Sequence, residues 1–243
     1  MEYKRILLKL SGEALGSPAN VLDKGILNGI YQQIKTLQEE LGVQVAIVVG
    51  GGNMFRGALS ESIGLGEETA PADYMGMLAT TINAIGLNTF FNNKGMDSVM
   101  QNAMFIQDVS EGINPEEAIK YLEEGKVVIF GGGTGKPYVS TDTGAAIRAI
   151  EINADVILMA KNSVDGVYTH DPLRYPDAEF IDELTFNEVI DRNLKVVDFD
   201  AMEKLKGKNI DILLFNMNTP NNIINLYKDN GTRKTIIKDS KDK

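Results

Sequence analysis

Strand-length apolar runs alternate with longer amphipathic stretches along the whole chain. The runs fall at residues 6–10, 43–49, 127–130, 156–159 and 210–215. They are nearly continuous rather than alternating, which predicts strands buried on both faces and so a mainly parallel sheet in an α/β fold. Between the first two runs, Ile26, Ile30, Ile34, Leu37 and Leu41 recur at helical spacing and Gly42 supplies a stop. That pattern predicts a helix laid by its apolar stripe on the sheet. A second helix is expected over about residues 72–87, with Met75, Leu78, Ala79, Ile82 and Ile85 on one face. A third should cover about 115–124, with Pro115 in the first turn where proline is tolerated. A fourth, about 141–153, opens on the capping-type string Ser140-Thr141-Asp142-Thr143. With no repeat or low-complexity linker, residues 1–243 read as one folding unit, and only the charged tail 238–243 is expected to fray.

Charge and composition narrow the function. The chain carries 24 Lys and Arg against 34 Asp and Glu, a net charge of −10, which argues against a broad nucleic-acid surface. The 43% hydrophobic and 24% charged content is globular and excludes disordered or fibrous architectures. With no cysteine there is no disulfide, thiolate nucleophile, Cys-based zinc site or iron–sulfur site, and the single His170 excludes a multi-histidine metal site. Any metal must therefore be held by oxygen. Lys9 breaks the first apolar run, leaving it too short for a signal segment or a membrane span, so a soluble cytoplasmic protein is expected.

Three turns leave strands through glycine: Lys9-Leu10-Ser11-Gly12, Gly50-Gly51-Gly52-Asn53, and Gly131-Gly132-Gly133-Thr134-Gly135-Lys136. In a parallel sheet the carboxyl ends of strands share one edge, so the three turns should meet at one crevice. Glycine lets backbone N–H groups approach a ligand closely, and that geometry suits phosphate oxygens. Any one glycine turn alone can be purely structural; three in register are harder to dismiss. Two nucleotide motifs fail on this chain. A P-loop needs Gly where Phe130 stands and Ser or Thr where Pro137 stands, and a dinucleotide fingerprint needs a third Gly where Phe55 stands. The protein-kinase triplets His-Arg-Asp and Asp-Phe-Gly do not occur.

Lys9 is a charge inside an apolar run, so it must lie near the strand's open end with an anion or carboxylate; a structural ion pair is the plainer reading. Arg56, just past the second glycine turn, has the donor fork to clamp a phosphate, although a solvated loop arginine looks the same in sequence. Asp142 and Asp73 both fall at expected helix starts, where acids are common without any catalysis. His170, in Tyr168-Thr169-His170-Asp171-Pro172, reads as a loop residue rather than a general base.

Taken together, these strings resemble the bacterial uridylate kinase family of the amino-acid-kinase superfamily. The resemblance spans nearly the whole chain and rests on residues 4–15, 50–57, Asp73-Tyr74-Met75-Gly76-Met77-Leu78-Ala79-Thr80, Thr141-Asp142, residues 164–168 and Phe215-Asn216-Met217-Asn218. It implies a three-layer α/β/α sandwich, assembled as a homohexamer, that converts ATP and UMP to ADP and UDP with nucleotide-bound Mg²⁺ in pyrimidine nucleotide biosynthesis. The acceptor side would lie in the N-terminal part and the ATP side in about residues 155–243. Lys9, Leu10, Ser11 and Gly12 would hold ATP phosphates, with Lys9 stabilising the transferred group, and Gly52 and Arg56 would face the same phosphates. Gly51 and Asp73 would contact UMP, and Thr134, Gly135, Lys136, Pro137, Tyr138, Val139, Ser140 and Thr141 would wrap it. Asn162, Tyr168 and Asp171 would take adenine and ribose. Asp142 would orient the lysine, with Asp198 a further site acid, and no dedicated protein metal site is implied.

Phosphoryl transfer asks mainly for positioning and charge neutralisation, which these residue types supply. One stretch departs from the family. Gly16-Ser17-Pro18-Ala19-Asn20-Val21-Leu22-Asp23 is shorter and poorer in glycine than the family loop associated with GTP activation. The implication of GTP activation is weakened accordingly, whereas inhibition by UTP needs only the acceptor pocket. Two other readings stay open on the residues: a superfamily kinase acting on a carboxylate, carbamate or isoprenoid phosphate, and a uridine-nucleotide sensor without turnover. Neither nucleic acid nor membrane is expected as a partner.

Overall fold

The computed structural model describes residues 3–55, 63–64, 70–161, 164–194, 196–228 and 230–240. In chain order the elements begin β1 (Arg5–Leu10), α1 (Lys24–Glu39), β2 (Gln44–Val49), α2 (Ala70–Asn93), β3 (Ser98–Asn102), β4 (Glu111–Gly112), α3 (Pro115–Glu123) and β5 (Val127–Gly131). They continue α4 (Thr141–Glu151), β6 (Val156–Lys161), β7 (Val167–Tyr168), β8 (Phe180–Ile181), β9 (Glu183–Thr185), α5 (Phe186–Asp191), α6 (Phe199–Leu205), β10 (Asp211–Asn216), α7 (Asn222–Tyr227) and β11 (Lys234–Lys238). Nine strands form one sheet in the order β4-β3-β5-β2-β1-β6-β10-β11-β9, and β7 pairs with β8 in a separate ribbon. The pairs from β4 across to β10 are parallel; β11 runs antiparallel to β10, and β9 follows β11.

Each expected run is a strand, and its two sides bury against different helices. Ile6, Leu8 and Leu10 of β1 face a core shared with α1, α2 and α7, whereas Leu7 faces one shared with α3, α4, α5 and α6. The same alternation holds in β2, β5, β6 and β10. A helix layer therefore covers each face of the sheet, as expected of an α/β/α sandwich. Helix starts follow their caps: Asp23 accepts from the Gly25 and Ile26 amides at 2.8 and 3.2 Å, Asn114 from Glu117 at 3.2 Å, and Ser140 from Thr143 at 3.0 Å.

Three expectations need correction. The helix over 72–87 runs on to Asn93 and turns a different face inward than its apolar stripe: Met75, Leu78 and Ile82 are exposed, Ile85 is half-buried, and of the five only Ala79 is buried. Strands β3 and β11 had no counterpart in the sequence reading. Finally, Lys238 does not fray; it ends β11 and pairs with Glu183 at 3.1 Å, while Asp239 accepts from the Gly207 amide at 2.9 Å. Residues 241–243 of that tail lie outside the described residues.

Candidate functional site

The strand order β5-β2-β1 brings the three glycine turns side by side at the carboxyl edge. The first two are in contact: a methyl group on Gly12 would lie 2.7 Å from the Gly52 amide nitrogen and 2.8 Å from that of Asn53. Only glycine allows that approach. The Gly50 amide donates to Leu10 O at 2.8 Å, and the Gly132 amide of the third turn donates to Thr80 Oγ1 of α2 at 2.8 Å. Between the turns and α2 opens a cleft of about 480 Å³.

The cleft is lined by Gly51, Gly52, Gly133, Lys136, Val139, Ser140 and Thr141, and across from them by Asp73 and its helix neighbours. Asp73 lies in the first turn of α2, where the helix dipole favours an acid, and its Oδ2 accepts from the Tyr138 amide at 2.6 Å. Tyr138 itself is exposed with φ +62°, a left-handed conformation rare for a residue with a side chain. Thr134, Gly135, Pro137 and Tyr138 belong to the same segment without lining the cleft; Thr134 Oγ1 instead braces the turn, accepting from the Lys136 amide at 3.3 Å.

A charged centre lies beside the cleft, beneath the first turn of α4. Period-two geometry puts Lys9, two residues after Leu7, on the same sheet face as α4. Its Nζ meets Asp142 Oδ1 at 2.9 Å, with both side chains 11% exposed. Thr141 thus lines the cleft while the next residue, Asp142, faces the lysine. Lys161 on β6 completes the group. The register pairs Lys9 with Met159, so Lys161, two residues further along the adjacent strand, shares its face. Lys161 Nζ donates to Val196 O at 2.7 Å. Asp142, Lys161 and Asp198 line a second cavity of about 300 Å³.

These charges tune one another. Burial alone would raise the Asp142 carboxyl, but attraction to Lys9 and then Lys161, with a hydrogen bond from Lys9 and one from the Asp198 backbone, holds it below the usual carboxylate range. Burial lowers the Lys161 ammonium, opposed by Asp142 and Asp198 and reinforced by Lys9. Buried Lys9 and half-buried Lys161 share one buried anion, Asp142, with Asp198 exposed at the cavity's edge; two cations so placed suit phosphate oxygens. Asp198 is exposed and precedes α6 at its cap position without a side-chain cap bond.

Tyr168 ends β7 and Asp171 lies in the loop joining β7 to β8, both apart from the cleft lining. Tyr168 packs edge-on to Phe180 with ring centroids 5.2 Å apart, and the Arg233 guanidinium lies 4.1 Å from the Phe180 ring centre. Asp171 accepts from the Leu173 amide at 3.0 Å and pairs with Arg174 at 3.3 Å. His170 packs on Tyr175 at 5.6 Å between ring centres, within the loop. Arg56 and Asn162 lie outside the described residues.

The sequence reading missed Lys161 and the cleft-lining Glu13, Phe55, Met77 and Thr80. A signal existed for several of them. Lys161 ends the apolar run of β6 much as Lys9 interrupts that of β1. Asp73, Gly76, Met77 and Thr80 stand at helical spacing i, i+3, i+4 and i+7, one face of α2.

Residues 4–216 match the amino acid kinase family. The chain is 44% identical over 237 residues to a uridylate kinase of Limosilactobacillus reuteri (strain DSM 20016), covering 97% of this chain and 98% of that one. Among solved structures, UMP kinase from Ureaplasma parvum superposes with a TM-score of 0.91 at 35% identity, covering 98% of this chain and 100% of that one. UMP kinase from Bacillus anthracis superposes with a TM-score of 0.92 at 36% identity, covering 99% and 98%.

Proposed function

The chain belongs to the amino acid kinase family, and from that premise we propose that it is a nucleoside monophosphate kinase transferring the γ-phosphoryl group of ATP to UMP. The observation that carries this is the glycine-lined cleft with Asp73 on one wall, set against the buried Lys9–Asp142 pair with half-buried Lys161 beside it. The uridylate kinase names of its relatives support the acceptor. A UMP phosphate oxygen attacks the γ-phosphorus in line, the bond to the β–γ bridging oxygen breaks, and ADP leaves. The acceptor is already an anion, so no strong general base is required.

Lys9 neutralises charge on the transferred group, Asp142 orients it, and Lys161 adds a second cation from the neighbouring strand. Leu10, Ser11, Gly12, Gly52 and Arg56 form the ATP-phosphate side, with Asn162, Tyr168 and Asp171 for adenine and ribose. Gly51, Asp73 and residues 134–141 hold UMP, and Asp198 is a further acid. The acceptor half and the ATP half, about residues 155–243, act as one unit across the continuous sheet. Asp142 is committed to Lys9 and Asp198 is exposed, a donor set suited to a hard cation carried by phosphate oxygens and water rather than caged by protein. Mg²⁺ carried in on the nucleotide would supply charge neutralisation at the phosphates. UTP would inhibit from the acceptor pocket, a cytoplasmic place in pyrimidine nucleotide synthesis follows from the substrates, and GTP activation lacks support.

The exposed apolar face of α2, with Tyr74, Met75, Leu78 and Ile82 at helical spacing, supports burial against a second copy within a homohexamer. Leu78→Glu with Ile82→Glu is expected to reduce the particle from six chains of 26.6 kDa to smaller species in sedimentation equilibrium. An unchanged mass would exclude this face as an interface. The activity itself is tested by ADP release with ATP and Mg²⁺ across UMP, CMP, dTMP, carbamate and acidic amino acids, with and without GTP. Turnover with UMP and a flat GTP response are expected. Turnover only on a carboxylate or carbamate would overturn the acceptor, and UMP binding without ADP release would leave a nucleotide sensor.

A further inference from the structure

Helix α2 buries a row of polar side chains against the carboxyl edge: Thr80, Thr81 and Asn83 are 5%, 1% and 0% exposed. Each reaches a turn rather than solvent. Thr80 Oγ1 accepts the Gly132 amide, and Thr81 Oγ1 donates to Asn102 Oδ1 at 3.1 Å at the end of β3. Asn83 does most. Its Nδ2 donates to Gly50 O at 2.7 Å and to Asn53 Oδ1 at 2.8 Å, while Asn53 Nδ2 donates back to Asn83 Oδ1 at 3.1 Å and to Val21 O at 2.8 Å.

The two amides thus form a closed pair with both N–H bonds of each side chain used, anchored on fully buried Asn83 and reaching half-buried Asn53, and together they grip the turn at both ends. Neither asparagine lines the acceptor cleft, whereas Gly51 and Gly52, held between their attachment points at Gly50 and Asn53, do. The same helix carries Asp73 into that cleft from the opposite wall. We propose that Asn83, through its amide pair with Asn53, is a positioning residue for phosphoryl transfer, fixing the Gly50–Gly52 turn relative to the helix that carries Asp73. This rests on the kinase reading above. An apolar residue would fill the space at Asn83 but could not grip a carbonyl, and catalysis by positioning is sensitive to displacements of about 1 Å.

The test compares Asn83→Ala, Asn83→Asp, Asn53→Ala and the double alanine variant with Phe91→Leu, a core change on the same helix remote from the turns. Thermal unfolding supplies the match in stability. Asn83→Ala is expected to lower kcat about 100-fold, as a turn displaced by about 1 Å would. Asn83→Asp, which keeps the shape but as a carboxylate has no donor for Gly50 O, should fall with it. The double variant should lose little more than either single one, since the two act as a unit. Phe91→Leu should keep kcat within about threefold at an equal loss of melting temperature, as a change outside the site. Amide exchange gives a readout independent of turnover: Asn83→Ala should speed exchange at Gly51 and Gly52 selectively, and Phe91→Leu should not. Equal kcat losses in stability-matched Asn83→Ala and Phe91→Leu, or unchanged exchange at the turn, would overturn the proposal. Absence of UMP turnover in the unmodified protein would overturn the kinase reading and with it the catalytic part of the proposal, while exchange at the turn would still decide whether Asn83 fixes the Gly50–Gly52 turn.

Discussion

Lys9→Ala is expected to lower kcat by about 10³-fold or more, in the range for loss of a cation acting on a phosphoryl transition state, while UMP affinity changes by less than about threefold. The separation follows from where Lys9 sits. It does not line the acceptor cleft, so removing it takes away no contact on that wall. Its ammonium lies at the carboxyl end of β1, one residue before the Leu10-Ser11-Gly12 turn, where charge on a transferred group would develop. The variant should still fold, because Asp142 keeps the attraction of Lys161 and the hydrogen bond from the Asp198 backbone. Lys9→Arg keeps the charge but replaces a compact ammonium with a planar fork, so partial activity is expected. Steady-state kinetics and UMP calorimetry on the same samples check both halves. Full turnover in Lys9→Ala would sink the role given to Lys9, and a loss of UMP affinity as large as the loss of kcat would move it to the acceptor site.

How Lys9 could be singled out from sequence, and Lys161 not, shows what such patterns report. A charge inside an apolar run is conspicuous because burial of an unpaired ammonium is costly, so a partner has to exist. Lys161 carries the same physics at the end of its run, but an apolar run counted only to Met159 gives no reason to look two residues further. The glycine turns were legible because few other residues tolerate such close backbone approach, and the parallel order β5-β2-β1 brought them together. Strand β3 was not legible. Its Ser98, Gln101 and Asn102 are buried yet polar: Ser98 donates to Asn88 of α2, Gln101 exchanges bonds with Asn114, and Asn102 accepts from Thr81 of α2, partners that no local pattern announces.

Helix α2 is the instructive miss. Periodicity located the helix and grouped Met75, Leu78 and Ile82 on one face, yet that face is exposed on the isolated chain. The inward face carries Thr80, Thr81 and Asn83 among Ala84, Leu87 and Phe91. A hydrophobic stripe reports which residues avoid water, and says nothing of whether the sheet beneath or another chain covers them. The polar residues face inward because the edge they meet is made of turns, whose carbonyls and amides need partners once buried.

Asp142→Ala should be the most destabilising single change at the site, by about 3–5 kcal/mol, the usual result of leaving a buried charge unpaired. Lys9 and Lys161 would then face each other across a cavity with no buried anion between them. For a chain of this length the loss corresponds to roughly 6–20 °C in melting temperature. Asp142→Asn should cost less, since it keeps an acceptor for Lys9 and for the Asp198 amide. The pH dependence separates charge from shape. Because the Asp142 carboxyl is held below its ordinary value, its contribution is fully present above about pH 4 and lost as pH falls through the lower folded-state value. Asp142→Asn should lack that acid-side loss. On the alkaline side Lys161 acts with the same sign: it binds its proton less readily when folded than when unfolded, so stability rises as pH climbs through its lowered folded-state value. Removing Asp142 takes away the main attraction opposing that shift, so Asp142→Ala should regain stability on going from neutral to alkaline pH while the unmodified chain regains less. Urea unfolding at pH 3, 5, 7 and 9 tests all three arms. A loss below about 1 kcal/mol at pH 7 is what an exposed ion pair gives, and it would mean that solvent, not Asp142, compensates the two lysines.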